Sequence, residues 1–369
     1  MHEKHPPLKR PDLGQYGRTE FALVGTTCAR IEQLMNEWLR DFSSSYRSLG
    51  ITGEHAEPEV PVTLRRDRKL AWTDHENWSP ADDRLQGSAY DLVLVNGNHY
   101  PARRQIVFVD DAKAGTLQRR ADELTDIFAV VHVSGEPALP DWLRTVIRRQ
   151  SVPPLMTTLS MLHLLRDGIE QELRANVPRL NALILAGGES QRMGEDKGRL
   201  VYRDGKTEVE RLAELCTRLH LPVSVSVRQE KNRGELSYPL IPDRFLGLGP
   251  AGAICSAFLA RPDTAWLVLA CDLPLLTGDT LRKLIDARRP DRTATAVRGP
   301  GKEWPEPLVA IYEPRAYRRL LDFLSLGYAC PRKVLINSDT EIVQLDDERP
   351  ITNANTPEER DRVRSELKR

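Results

Sequence analysis

Leu183-Ile-Leu-Ala-Gly-Gly-Glu-Ser-Gln-Arg-Met-Gly-Glu-Asp-Lys197 is the stretch whose reading decides the fold. The apolar run Ala182 to Ala186 has the length and composition of a buried strand, and it stops abruptly at Gly187-Gly188. Two glycines leave backbone N–H groups uncovered by any Cβ, so a phosphate can approach them closely. Arg192 and Lys197 follow within a few residues, where they can neutralise the same phosphates. A bare Gly-Gly is an ordinary strand-to-loop turn. Strand, glycine pair, Arg-Met-Gly and Asp-Lys in this order point instead to a nucleotide loop.

From Asn181 onward the pattern alternates. Strands are expected at Leu183–Ala186, Pro222–Val227, Trp266–Ala270, Ala294–Val297 and Leu308–Tyr312, with helical segments between them. Such alternation predicts an α/β domain with a parallel-rich sheet covered by helices on both faces. Ala270-Cys271-Asp272-Leu273-Pro274 places a carboxylate just past the end of one strand, the end where open α/β sheets bind ligands. Facing nucleotide phosphates, Asp272 would hold Mg²⁺; in the plainer reading it caps the next helix or turn. Asp243 precedes a glycine-rich loop, Gly247, Gly249-Pro250 and Gly252, ahead of a helix expected over Ala253–Leu259.

These motifs, Leu185-Ala186-Gly187-Gly188, Arg192-Met193-Gly194, Asp196-Lys197 and Cys271-Asp272-Leu273-Pro274, resemble the signature of the molybdenum cofactor guanylyltransferases (MobA). Pro307-Leu308-Val309-Ala310-Ile311-Tyr312 and Asn353-Ala354-Asn355-Thr356-Pro357-Glu358 are similar to later motifs of that family, in the same order. The resemblance covers about residues 181 to 360. It implies a Rossmann-like nucleotidyltransferase domain that binds nucleotide through Leu185, Ala186, Gly187, Gly188, Lys197, Asp243 and Asp272. In that reading Arg192, Lys197 and Asp272 serve catalysis, Asp272 holds Mg²⁺, and Asn353 and Asn355 contact substrate. Arg228 stands where family members often carry a ribose-contacting Asn, a departure from the pattern.

The first half predicts a second, smaller α/β domain. Strands are expected at Phe21–Gly25, Asp91–Val95, Ile106–Val109 and Ile127–Val133, and a polar segment from about Gly50 to Gly87 holds loops and short edge strands. Asp91-Leu-Val-Leu-Val-Asn-Gly97 resembles a strand of the accessory GTP-binding proteins of the same pathway (MobB). Their Walker A loop is degenerate here: Gly25-Thr26-Thr27-Cys28-Ala29-Arg30 has no Gly-Lys pair, and no lysine follows before Lys69. Without the lysine and second glycine, nucleotide hydrolysis by this half is not expected. Leu155, Leu159, Leu162, Leu165, Ile169 and Leu173, three and four apart, predict one helix that Pro178 ends. The expected domains are 1–150, a linker helix at 151–179, and 180–369.

Composition sets the remaining bounds. With 369 residues, 40% hydrophobic and 29% charged, the chain reads as a soluble globular protein of two domains. Zero formal net charge gives no global pull toward nucleic acid or membrane, so phosphate binding rests on a local cluster. Trp266 to Ala270 is too short to span a bilayer, and the N-terminus lacks the apolar core of a signal peptide. Five scattered cysteines without a Cys-x-x-Cys pair argue for a reducing compartment, the cytoplasm, and against structural zinc.

The expected reaction, which rests on the resemblance, is GMP transfer from Mg-GTP to molybdenum-molybdopterin, with docking to cofactor insertion or acceptor proteins. Alternatives are a cytidylyltransferase acting on the same pterin, a sugar-phosphate or other small-phosphate nucleotidyltransferase, and a catalytically silent scaffold.

Overall fold

The structure, a computed structural model, describes residues 17–53, 62–66, 70–74, 84–134, 139–186, 200–203, 205–228, 237–354 and 356–367. Two compact units, 1–177 and 178–369, divide the chain.

The first unit is built on an eight-stranded sheet: β1 (Thr19–Val24), β2 (Ser48–Thr52), β3 (Val62–Arg66), β4 (Leu70–Asp74), β5 (Leu92–Asn96), β6 (Arg104–Val109), β7 (Ile127–His132) and β8 (Leu155–Thr158). The order is β4-β3-β2-β5-β1-β6-β7-β8. β3 and β4 attach antiparallel at one edge, and the other pairings are parallel. Successive side chains of a strand leave on opposite faces. Phe21 and Leu23 therefore join Leu92, Leu94, Ile106 and Phe108 under the helices Cys28–Phe42 and Leu162–Ala175, while Ala22 and Val24 enter clusters on the other face. A sheet buried on both faces needs the continuous apolar runs seen here.

One sequence expectation is corrected. Leu155 does not open the helix; Leu155–Thr158 is strand β8, paired parallel with β7 through Ala129↔Leu155 to His132↔Thr158. The helix proper runs from Leu162 to Ala175. Leu155 and Leu159 still pack beside Leu165, Ile169 and Leu173 on one core, which is why their spacing imitates a single helical face.

The second unit carries seven strands: β9 (Leu180–Leu185), β10 (Val223–Val227), β11 (Leu240–Pro242), β12 (Ala265–Ala270), β13 (Ala294–Arg298), β14 (Val309–Tyr312) and β15 (Thr340–Gln344). Their order is β11-β10-β9-β12-β14-β13-β15. β11, β10, β9 and β12 run parallel, β14 is inserted antiparallel to both β12 and β13, and β15 pairs parallel with β13. Ala182 and Ile184 of β9 enter the cluster with Val209, Leu212 and Cys216 of helix Glu208–Arg218 and Leu281 and Leu284 of helix Gly278–Asp286. Leu183, equally buried, takes the opposite face. Helix Gly249–Ala260 packs near helix Ala316–Ser325, with the Phe258 and Tyr317 rings 6.0 Å apart. From β9 the chain builds β10 and β11 to one side, then returns to place β12 on the other. That reversal makes the carboxyl ends of β9 and β12 a topological switch point, the place where open α/β sheets bind ligands. Among the described residues, no helix is long and apolar enough to cross a membrane.

Candidate functional site

The register of the parallel strands brings Leu185, Ala186, Asp243 and Asp272 to one edge. Leu185 of β9 lies opposite Ala270 of β12, so the strand leading into the glycine loop and the strand leading into Asp272 end side by side. Ala186, half-buried, donates its N–H to Ser226 O of β10 at 3.1 Å. Asp243 leaves β11 at the same edge, its N–H donating to Val227 O at 2.9 Å. Four consecutive parallel strands thus deliver Leu185, Ala186, Arg228, Asp243 and Asp272 to their carboxyl ends. Gly187, Gly188, Arg192, Met193, Gly194, Asp196, Lys197 and Asn355 lie outside the described residues.

Asp243 is oriented by Ser226, whose Oγ donates to Oδ1 at 2.9 Å. Burial raises its carboxyl above the ordinary range, against the opposing pull of that hydrogen bond and of Arg228. The following turn is fastened by Ser256 Oγ, which accepts from Arg244 N at 2.8 Å and donates to Gly252 O at 2.7 Å. Here the structure changes the sequence reading: the helix begins at Gly249, with Pro250 in its first turn, and Gly252 lies inside it. A Cβ on Gly252 would sit 2.2 Å from Phe245 O. This glycine admits the protein's own backbone.

Asp272 is half-buried in the turn after β12. It does not cap the next helix; that place belongs to Thr277, which accepts from Thr280 N. Its carbonyl receives the Ala354 N–H at 2.9 Å, bringing the Asn353-Ala354 segment, 82 positions away in sequence, against the carboxylate turn. Ala354 is fully buried and Asn353 is exposed beside it.

Several residues that hold this turn were not evident in the sequence. Arg211 donates Nη1 to Leu276 O at 2.9 Å and Nη2 to Leu273 O at 3.1 Å, while its Nε meets Glu208 at 2.6–2.7 Å. Arg203 Nη2 adds a bond to Pro274 O at 3.2 Å. The Asp272-Leu-Pro turn is thereby clamped by guanidinium groups. Glu208 and Arg211, three apart, look like a routine helix pair in sequence, and only burial reveals their role. Tyr202, within electrostatic reach of Asp272, has its phenol pushed up to about 12 by burial first and then by Glu208. Glu306 is raised mainly by burial and further by the charge of Asp272, while the Leu308 N–H and Arg332 pull the other way. Glu306, mostly buried, thus lies within electrostatic reach of the half-buried Asp272 carboxylate. Among the described residues no group of three or more His, Cys, Asp or Glu side chains is placed to hold a metal. The Asp272 and Glu306 carboxylates are hard oxygen donors, the type that suits a cation drawing its other ligands from phosphate and water.

The MobA-like NTP transferase domain matches residues 182–341. A molybdenum cofactor biosynthesis bifunctional protein of Synechocystis is 32% identical over 183 residues, 49% of this chain and 52% of that protein, so this chain matches about half of its length. A probable molybdenum cofactor guanylyltransferase of Mycobacterium ulcerans is 32% identical over 181 residues, covering 48% of this chain and 89% of that one. Among solved structures, molybdopterin-guanine dinucleotide biosynthesis protein A from Archaeoglobus fulgidus aligns with 51% of this chain and 98% of its own at 21% identity and a TM-score of 0.43. Through the nucleotidyltransferase domain in its C-terminal unit, the chain belongs to the MobA-like NTP transferase family.

Proposed function

We propose that the C-terminal unit transfers GMP from Mg-GTP to the terminal phosphate of molybdenum-bound molybdopterin, releasing pyrophosphate. The observation that carries this reading is the Leu185↔Ala270 register, which sets the root of the glycine loop beside Asp272. Nucleotidyl transfer needs the α-phosphate held in line with its attacker and the leaving pyrophosphate neutralised. In this reading the N–H groups of Gly187 and Gly188 cradle the phosphates, Lys197 and Arg192 offset their charge, and Asp243 orients the nucleoside. Asp272 holds Mg²⁺, which when bound polarises the phosphoryl oxygens. Glu306 stands close enough to strengthen the negative field around that position. Asn353, anchored through Ala354 to the Asp272 turn, contacts the acceptor together with Asn355. A phosphomonoester acceptor is mostly ionised at neutral pH, so no protein base has to activate it.

GTP is preferred over CTP because Gly187 removes the methyl that the cytidylyl branch carries at this position, leaving room for a purine. The N-terminal module, about residues 1–177, aids use of the pterin or its delivery to insertion or acceptor proteins in the cytoplasm. The deciding assay is pyrophosphate release with molybdopterin and either Mg-GTP or Mg-CTP, paired with melting curves in each nucleotide. Faster release and a larger melting shift with GTP are expected, by binding linkage. A larger response to CTP would reassign the base, and release with a sugar phosphate but not with the pterin would reassign the acceptor.

A further inference from the structure

The turn after β1, Gly25 to Arg30, is given no role in the proposed transfer, and its contacts give it a chemistry of its own. Gly25 adopts φ +94°, and a Cβ there would lie 2.4 Å from Phe108 O, so only glycine fits. Thr26 Oγ1 donates to Asp110 Oδ2 at 2.5 Å, and Arg30 Nη1 donates to the same oxygen at 2.9 Å. Asp110 Oδ1 accepts from Ala112 N at 3.0 Å. These polar groups are occupied by one another, and they fix the backbone that presents the next residue.

That residue is Cys28, half-exposed, the first of the 15-residue helix Cys28–Phe42, whose N-cap is Thr27. Its Sγ lies 3.4 Å from His99 Nε2 and accepts from Asn98 Nδ2 at 3.4 Å. The Asn98 amide is held in place by a second bond, to Thr26 O at 2.9 Å. The His99 ring rests on Gly53, where a Cβ would come within 3.0 Å of it. Asn96 supplies an independent observation. Fully buried at the end of β5, it accepts the Asn98 N–H on Oδ1 at 3.2 Å, while its Nδ2 has no hydrogen-bond partner among the described residues. This donor shares a carbon with the oxygen that accepts the Asn98 N–H, so a buried N–H without a partner among the described residues lies next to the residue that contacts the thiol.

We propose that Cys28 is a nucleophilic thiol with His99 as its proton acceptor, and that the site takes small disulfides. A thiol within hydrogen-bond reach of an imidazole, at a helix N-terminus and with an amide donor on the sulfur, has the arrangement that favours attack by the thiolate. The Cys28 proton passes to His99 Nε2 as Sγ attacks one sulfur of the disulfide. A new S–S bond forms as the old one breaks, and the departing thiolate takes the proton from His99. One mixed disulfide and one free thiol result, with Cys28 oxidised and the leaving sulfur reduced. The other cysteines lack this setting. Cys216, Cys255 and Cys271 are buried, with burial pushing the thiols of Cys216 and Cys255 up to about 12, and Cys330 is exposed on the C-terminal unit.

The test exposes the full chain to oxidised glutathione at neutral pH and follows the mixed disulfide at each cysteine by peptide mass spectrometry, with Cys330 as the internal standard. Cys28 should react about tenfold faster than the more exposed Cys330, and His99→Gln should remove most of that advantage while leaving Cys330 unchanged. Hydrogen exchange over residues 28–42 verifies that the variant is folded. If it is not, Asn98→Ser, which loses the donor to sulfur, should slow Cys28 several-fold. Cys28 reacting no faster than Cys330, or a rate indifferent to the folded variant, would overturn the assignment.

Discussion

Arg211→Met tests how the Asp272 turn is held. The guanidinium joins a buried carboxylate, Glu208, to the carbonyls of Leu273 and Leu276, and the two side chains are only 11% and 1% exposed. Removing one partner of a buried pair costs about 3–5 kcal/mol, because the remaining charge stays unpaired. Each carbonyl left without its donor adds about 1 kcal/mol unless water replaces the guanidinium. A loss of about 4 kcal/mol at neutral pH is therefore expected where water satisfies both carbonyls, and about 6 kcal/mol where it does not. The cost should also depend on pH. Burial raises the Glu208 carboxyl, and Arg211 is the main opposing influence. A carboxyl raised in the folded state contributes stability that is complete below its unfolded value and lost as pH climbs through the folded one. Without Arg211 the carboxyl rises further, so the variant's deficit should be largest near neutral pH and shrink as the pH falls through the raised Glu208 value and the carboxyl accepts a proton. Adding Glu208→Gln should recover much of the loss. The assay is urea unfolding read by pulsed hydrogen exchange on peptides from residues 178–369, so that the transition belongs to the C-terminal unit. Equal stability of the single and double variants at neutral pH, or a deficit unaffected by acid, would refute the buried-pair reasoning. In the proposed reaction the same variant should need more Mg²⁺, because the turn that begins at Asp272 loses its clamp.

Gly252→Ala should destabilise the same unit by about 1–3 kcal/mol, seen as a lower melting temperature, since the added Cβ meets the Phe245 carbonyl at 2.2 Å. Because Ser256 binds Gly252 O and the Arg244 N–H, the displacement should also raise the KM for GTP through Asp243. Lys197→Ala should abolish pyrophosphate release with little change in melting temperature, the cation acting on triphosphate charge; near-normal turnover would remove it from the site. Asp272→Asn should shift the magnesium titration of turnover to higher concentration, a neutral amide being the weaker ligand for a hard cation. An unchanged titration would leave Asp272 a purely structural part of its turn.

Much of this protein is written in short-range pattern. The strands leading to Ala186, Val227 and Ala270 are apolar runs bounded by polar or glycine residues, and the structure places strands there because a segment buried on both faces has no other composition. The Asp272-Leu-Pro turn at a strand end was legible for the same reason, and so was the missing lysine after Gly25. Tertiary structure alone decided the rest. Leu155 matched helical spacing, yet β7 offered its backbone a row of partners, and cross-strand pairing outweighed the periodicity. β14 entered antiparallel between β12 and β13, which its own residues do not specify, since an apolar strand reads alike in either direction. The bond from Ala354 to Asp272, the grip of Arg211 on Leu273 and Leu276, and the meeting of Cys28 with His99 join residues 62 to 82 positions apart. Hydrogen bonds and buried charges of this kind depend on which surfaces the fold brings together, and sequence spacing carries no record of that.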